Sequence, residues 1–189
     1  MSRVPWLPAA SLALVLVGSS PNAEQRPQLR PTRDVDISYS ITRPNGSRMR
    51  ERVRWSAADQ LERVDGPDRS STIFNRKSGE ITLLVPRSRT YRKLEGEPRG
   101  PIEPDTSAQL TSGGQSEVAG QRCVEWSWTD NGEKHTLCAT PDGVLLRLIV
   151  DGKTVVQALS VTYRQQKADL FDVPKGYEPA LAPEGSVGP

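Results

Sequence analysis

Short runs of alternating apolar and polar residues, separated by turn residues, constrain the fold of this chain more than any other feature. In "VDISYSITR", for example, Val35, Ile37, Tyr39 and Ile41 alternate with polar residues. A period of two is typical of a strand with one buried face. The linking segments "PNGS", "DNG", "PDG" and "DGK" favour hairpin turns, because Asn-Gly and Asp-Gly accept positive φ angles. No long amphipathic helix is apparent, so the sequence predicts a mainly β protein with little helix, in which about ten strands form a curled antiparallel sheet.

Residues 1–23 are predicted to be a secretory signal peptide. A basic residue, Arg3, precedes the apolar run "WLPAASLALVLV", and the small and turn-prone residues "GSSPNA" follow it. The alternative is a membrane anchor, but the run is broken by proline and serine and is shorter than the about 20 apolar residues that a span needs. Cleavage is expected after Ala23, with Ser19 as the alternative.

The remainder is predicted to be one domain with loose ends. Residues 24–33 ("EQRPQLRPTR") are polar and interrupted by proline, which predicts a flexible leader. Residues 34–177 form a single β domain in this interpretation, and residues 178–189 a disordered tail. With 25 basic and 23 acidic residues in the whole chain, the charge is nearly balanced. No nucleic-acid partner is therefore expected.

The two cysteines, Cys123 and Cys138, are predicted to form a disulfide, because a secreted chain folds in an oxidising compartment. A four-residue loop at 129–132 would place Trp128 opposite Glu133 and the cysteines opposite each other. A two-residue Asn-Gly loop would leave the cysteines on a diagonal, which fits a disulfide less well. The sequence therefore favours the four-residue loop.

No metal site, cofactor or catalytic residue is predicted. Alternation places the only histidine, His135, on the face of the sheet opposite the cysteines, and two cysteines with one histidine do not complete a zinc site. The chain lacks the common motifs for nucleophilic, zinc-dependent and phosphate-binding enzymes. We therefore expect a protein that is not an enzyme, although a carboxylate pair assembled by the fold is left open.

Aromatic residues in the predicted strands are the candidate ligand-binding residues. In one interpretation these side chains fill the core on the concave side of the sheet. In the other they line a groove for an apolar ligand, because a curled sheet with few helices does not fill its own concavity. The tentative ligand-binding residues are Tyr39, Trp55, Phe74, Tyr91, Trp126 and Trp128.

Three segments carry a resemblance to a known family. "GEITLLVPRSRTYRKL" (79–94) resembles paired strands of the LolA-like periplasmic superfamily, the fold of the outer-membrane lipoprotein carrier. The segment from "VAGQRCVEW" to "LCATPDGVLLRL" (118–148) and the closing "FDVPKGY" (171–177) resemble an uncharacterised branch of it. The resemblance implies a half-open antiparallel barrel with an apolar concave face. The chain differs from the lipoprotein carriers in lacking obvious helices over the cavity and in having a disulfide hairpin.

The resemblance also implies a function and a location. We expect a periplasmic, non-enzymatic binding protein that is not an integral membrane protein. It would carry or sense a lipid or a lipoprotein acyl chain on the concave face. The alternative is a protein-interaction or envelope-sensing domain that has an envelope protein as its partner and no small ligand.

Overall fold

A computed structural model describes residues 26–96, 104–105 and 107–180. The predicted signal peptide lies outside these residues. A single 3₁₀ turn spans Ala168–Phe171. The strands are β1 (Val35–Thr42), β2 (Arg48–Ser56), β3 (Leu61–Asp65), β4 (Ser71–Asn75), β5 (Glu80–Val85), β6 (Thr90–Glu95), β7 (Thr111–Val118), β8 (Gln121–Asp130), β9 (Glu133–Ala139), β10 (Leu145–Val150), β11 (Lys153–Tyr163) and β12 (Glu178–Pro179).

The strands form one open sheet in the order β12-β6-β5-β4-β3-β2-β1-β11-β10-β9-β8-β7. Two meanders, β1–β6 and β7–β11, meet where β1 pairs with β11, and every pair is antiparallel except the short contact of β12 with β6. The prediction of a mainly β, curled antiparallel sheet is confirmed. Twelve strands are present where about ten were expected, and one of the additional strands is β12, whose two residues are too few to show an alternation.

Cross-strand register defines two faces of the sheet. Tyr39 on β1 lies opposite Ala158 on β11, and Val35 lies opposite Trp55 on β2, so these side chains share one face. We call it the aromatic face, because the register places Trp126 and Trp128 of β8 and Phe74 of β4 on the same side. Most of the principal core lies on it, with Val35, Leu137 and Leu146 fully buried.

A smaller apolar cluster covers the opposite face of the first meander. Ile73 and Leu84 pack there against Phe171 of the 3₁₀ turn, and Tyr91 packs at the edge of the cluster. The guanidinium of Arg63 donates a hydrogen bond to the backbone carbonyl of Leu170 at 2.7 Å, which holds the turn over the strands. The described C-terminal segment therefore packs on the side of β3–β6 opposite the aromatic face.

The predicted leader and tail both make contacts in their described parts. The amide of Thr32 donates to the carbonyl of Asp142, and the Arg33 side chain pairs with the Asp142 carboxylate at 2.9 Å. At the other end, β12 lies within the predicted tail, and the amide of Ala180 donates to the carbonyl of Tyr91 at 2.7 Å. These contacts connect the described ends of both segments to the sheet. Residues 181–189 lie outside the described part.

The disulfide between Cys123 and Cys138 is present, but the predicted hairpin register was wrong. The β8–β9 turn has two residues, Asn131 and Gly132, both at positive φ, and Cys138 lies opposite Glu125. The cysteines are thus on a diagonal, with their Cα atoms 5.4 Å apart. Strand twist shortens one diagonal of a hairpin, so the preferred Asn-Gly turn and the disulfide are compatible.

Candidate functional site

The six candidate aromatic residues do not form one exposed site. Tyr39, Trp55, Trp126 and Trp128 are buried on the aromatic face as members of the core. Phe74 is on the same face and is only partly buried, whereas Tyr91 packs against the cluster on the opposite face. The four buried rings therefore occupy the core, and the accessible part of the aromatic face is elsewhere.

That accessible part is the section of the aromatic face formed by β3–β6, which we call the open half. Register places its side chains in two rows across the strands. The first runs Trp55, Glu62, Phe74, Ile81, Leu94, and the second runs Val53, Val64, Thr72, Leu83, Arg92. Adjacent strands are about 4.8 Å apart, so each row is about 19 Å long from β2 to β6.

Exposure increases along these rows toward the edge of the sheet. Trp55 at the start is 4% exposed, Phe74 and Ile81 are partly buried, and Leu94 at the end is 44% exposed. Val85, also on this face, is among the few large apolar residues that are exposed. On β1 and β8–β11 the corresponding positions are mostly buried, which makes the open half a distinct apolar surface that the described residues leave partly uncovered.

One ion pair lies within the open half. The guanidinium of Arg76 donates to the carboxylate of Glu62, with Nε 3.1 Å from Oε2 and Nη2 in closer contact, and it also lies over the ring of Phe74 at 5.1 Å. The pair contributes no net charge, so the first row, from Trp55 to Leu94, is apolar apart from one neutralised ion pair, whereas the second row ends in the exposed cation Arg92.

Two further ionisable groups face the same side of the sheet. Burial strongly raises the pKa of Tyr39, whose hydroxyl donates to the carbonyl of Leu145 at 2.7 Å. Burial also raises the pKa of Glu51, its neighbour across the strands. Both groups thus favour their neutral forms more than they would in water.

His135 stacks on Trp128, with ring centroids 4.9 Å apart. The register places it away from the disulfide, on the aromatic face, as the alternation predicted. Within the described part of the chain, no three His, Cys, Asp or Glu side chains come together as ligands for a metal ion.

Sequence reasoning did not select the aliphatic residues that form most of the open half. The signal was available, because Ile81, Leu83 and Val85 alternate in "EITLLV". The candidate residues were aromatic, and large apolar side chains of this kind are more often buried in the core than exposed. Leu94 could have been found by the same alternation in "TYRKLE", where it lies on the face opposite Tyr91.

The two edges of the sheet differ in their protection. At one edge the short strand β12, which contains Pro179, pairs with part of β6, and β6 carries Arg92, Lys93 and Glu95. Charges and proline of this kind discourage pairing with another chain. The other edge strand, β7, has a single charged residue, Glu117, and its only irregularity is a bulge between Ser112 and Gln115. Edge β7 is therefore the less protected edge in the part of the chain that the structure describes.

Comparisons by sequence identify no relative. No protein-family model matches the chain, and no curated protein matches it. None of the described residues belongs to a helix long and apolar enough to cross a membrane.

Comparisons by structure do find similar folds. The chain aligns with an uncharacterized conserved protein from Thermus thermophilus at a TM-score of 0.59 and 11% identity, covering 79% of this chain and 90% of that one. It aligns with MucB at a TM-score of 0.56 and 15% identity over 77% of this chain. It also matches the Pseudomonas aeruginosa MucA/MucB complex at 0.55 and 16% identity over 75%.

The chain spans a little over half of the matched MucB chains, 58% and 56% respectively. At these identities the likeness concerns the fold alone. The architecture of this chain is similar to that of MucB, which supports a LolA-like fold.

Proposed function

We propose that this protein is a periplasmic binding protein that holds an apolar chain, from a lipid or a lipoprotein, on the open half of its aromatic face. The observation that carries the proposal is the contrast between the two parts of that face. The same side of the sheet is closed over β1 and β8–β11, whereas over β3–β6 it is largely apolar and the described residues leave it partly uncovered. Binding without catalysis is part of the proposal.

The dimensions of the open half favour an acyl chain. Its rows are about 19 Å long, close to the roughly 15 Å that one acyl layer occupies in a hydrocarbon core about 30 Å thick. Each methylene removed from water contributes about 0.8 kcal/mol. Association costs at least about 4 kcal/mol, so more than about five methylenes must be buried before binding is measurable. Chains of about ten carbons or more meet this requirement.

Export to the periplasm is proposed on sequence grounds and on the LolA-like fold. The apolar run near Arg3 is typical of a signal peptide. The disulfide between Cys123 and Cys138 suits an oxidising compartment.

A matched pair of leucines tests the proposal. Leu94 is 44% exposed on the open half, and Leu159, at the bulge of β11, is 45% exposed elsewhere. The substitutions Leu94→Gln and Leu159→Gln make the same chemical change at equal exposure. We expect Leu94→Gln to weaken binding of a ten- to sixteen-carbon acyl probe by roughly three-fold or more, because a polar amide replaces apolar contact area, and Leu159→Gln to leave it unchanged.

Native mass spectrometry of the exported protein, with organic extraction, complements this measurement. Recovery of bound lipid from the wild type, reduced in the Leu94 variant and unchanged in the Leu159 variant, would support the proposal. Equal probe binding by both variants, or no binding by the wild type, would refute it.

A second candidate function is binding of a protein partner at β7. It is favoured by the weak protection of that edge, and one of the similar structures is a complex of MucB with MucA. An extended peptide adds a strand to such an edge through main-chain hydrogen bonds. A photo-crosslinker at Ser112 on β7 should then capture a defined envelope protein. The same crosslinker at Lys93 on β6 should not, and equal capture at both positions would contradict this function.

A further inference from the structure

The indole nitrogen of Trp55 is a buried hydrogen-bond donor that lacks an acceptor among the residues that the structure describes. The residue is 4% exposed and lies at the inner end of the first row of the open half. Buried donors in native proteins are nearly always satisfied, and an unmet one lowers stability. An unmet donor beside a proposed binding surface is therefore a sign of a missing acceptor.

The neighbours of Trp55 across the strands do not supply that acceptor. On one side is Val35, whose side chain is apolar and fully buried. On the other is Glu62, whose carboxylate accepts from Arg76 instead. The Glu62 side chain, which follows Trp55 in the first row, is 20% exposed, so the row is partly accessible next to Trp55.

We infer that the indole N–H of Trp55 donates a hydrogen bond to a carbonyl oxygen of the bound ligand. This inference rests on the proposed function and specifies its ligand as an acyl ester or amide rather than a plain hydrocarbon chain. The carbonyl lies near Trp55 and Glu62, and the hydrocarbon part extends along the rows toward Leu94.

The acceptor is a neutral carbonyl rather than a carboxylate. Among the described residues, the cation beside this point is Arg76, and it already neutralises Glu62. A ligand carboxylate would be a second negative charge at a buried position without a counter-ion, which is strongly unfavourable. A carbonyl accepts the same hydrogen bond without that cost.

Two probes that differ in one group test the inference on the unmodified full chain. The first is 1-decanoylglycerol, which has an ester carbonyl, and the second is 1-O-decylglycerol, the ether without it. Both are used below their critical micelle concentrations. A net hydrogen bond corresponds to about a two- to twelve-fold difference in dissociation constant, so we expect the ester to bind tighter by that factor.

A spectroscopic readout reports on the donor itself. The chain is labelled with ¹⁵N at tryptophan, and the substitution Trp55→Phe assigns the indole resonance of that residue. The ester should move the Trp55 indole proton downfield, as a new hydrogen bond does, and the ether should not. The resonances of Trp126 and Trp128 serve as internal controls. The Trp55→Phe variant should bind both probes with equal affinity.

The outcomes separate this inference from the proposed function. Equal binding of ester and ether with an unmoved Trp55 resonance would overturn the inference and leave acyl-chain binding intact. Binding of neither probe would refute the proposed function and the inference together. Preference for the ester with a shifted Trp55 resonance would support both, and the comparison of ester with ether on the wild-type chain remains decisive even if Trp55→Phe fails to fold.

Discussion

The carboxylate of Asp36 holds together the seam at which the two meanders join, so the substitution Asp36→Asn should destabilise the fold. Asp36 is 7% exposed and accepts from Arg52 at 2.8 and 2.6 Å, and from Arg164, which follows β11. Removing a buried ion-pair partner costs about 3–5 kcal/mol when the remaining charge is buried too. Arg52 and Arg164 are 44% and 54% exposed and can be rehydrated. The expected loss is therefore smaller, about 2 kcal/mol, within the range for hydrogen bonds to charged groups.

Guanidinium chloride denaturation followed by tryptophan fluorescence at pH 7 measures this loss. Asp169→Asn, at an exposed aspartate in the 3₁₀ turn, is the matched control and should change the free energy of unfolding by no more than about 0.5 kcal/mol. An Asp36→Asn variant as stable as this control would refute the argument.

The same carboxylate predicts a pH dependence. Hydrogen bonds from Arg52 and then Arg164 lower the pKa of Asp36 in the folded state, despite its burial. Its stabilisation is therefore complete above the unfolded value of about 3.9 and is lost as the pH falls through the lower folded value. The stability difference between the wild type and Asp36→Asn should shrink in that acidic range, and a difference that stays constant would contradict the assignment.

Two further substitutions test the fold. Cys123→Ser should lower the free energy of unfolding by about 3 kcal/mol, by the chain-entropy estimate for a 15-residue separation, and free one thiol for titration; two reactive thiols in the native wild type would contradict the disulfide. Gly143→Ala should cost about 1–3 kcal/mol in denaturant melts, because its φ is +98° and a Cβ would overlap the carbonyl of Arg30. Gly46→Ala, at positive φ in open space, is the control and should cost less.

Local pattern predicted the strands and their faces well, because a period of two is a property of neighbouring residues. Alternation in "CVEWSWT" placed the cysteines on one face and His135 on the other, as the structure has them. The same reasoning misjudged the turn, since it gave direct opposition of Cys123 and Cys138 more weight than the strong preference of Asn-Gly for two-residue loops. Twist, which makes the diagonal disulfide feasible, has no signature in a single sequence.

The candidate site was less predictable than the fold. Alternation shows that Leu83 and Val85 share a face, but not whether another segment covers it. The C-terminal residues around Phe171 cover the opposite face, and that contact joins residues almost 100 positions apart, such as Ile73 and Phe171. The leader contact of Thr32 with Asp142 joins residues that are even farther apart in the chain. Tertiary coverage of this kind decides which apolar residues remain accessible.

The junction of β1 with β11 has a consequence for the order of folding. Within each meander, the strands that pair are mostly consecutive in the chain. Across the junction, the hydrogen bond from Arg164 to Asp36 joins residues that are 128 positions apart. Closing a loop of that length costs about 2 kcal/mol more entropy than closing one of ten residues. Hairpins form in microseconds, and non-local strand pairing is slow. We therefore expect each meander to form early and the pairing of β1 with β11 to limit the rate of folding.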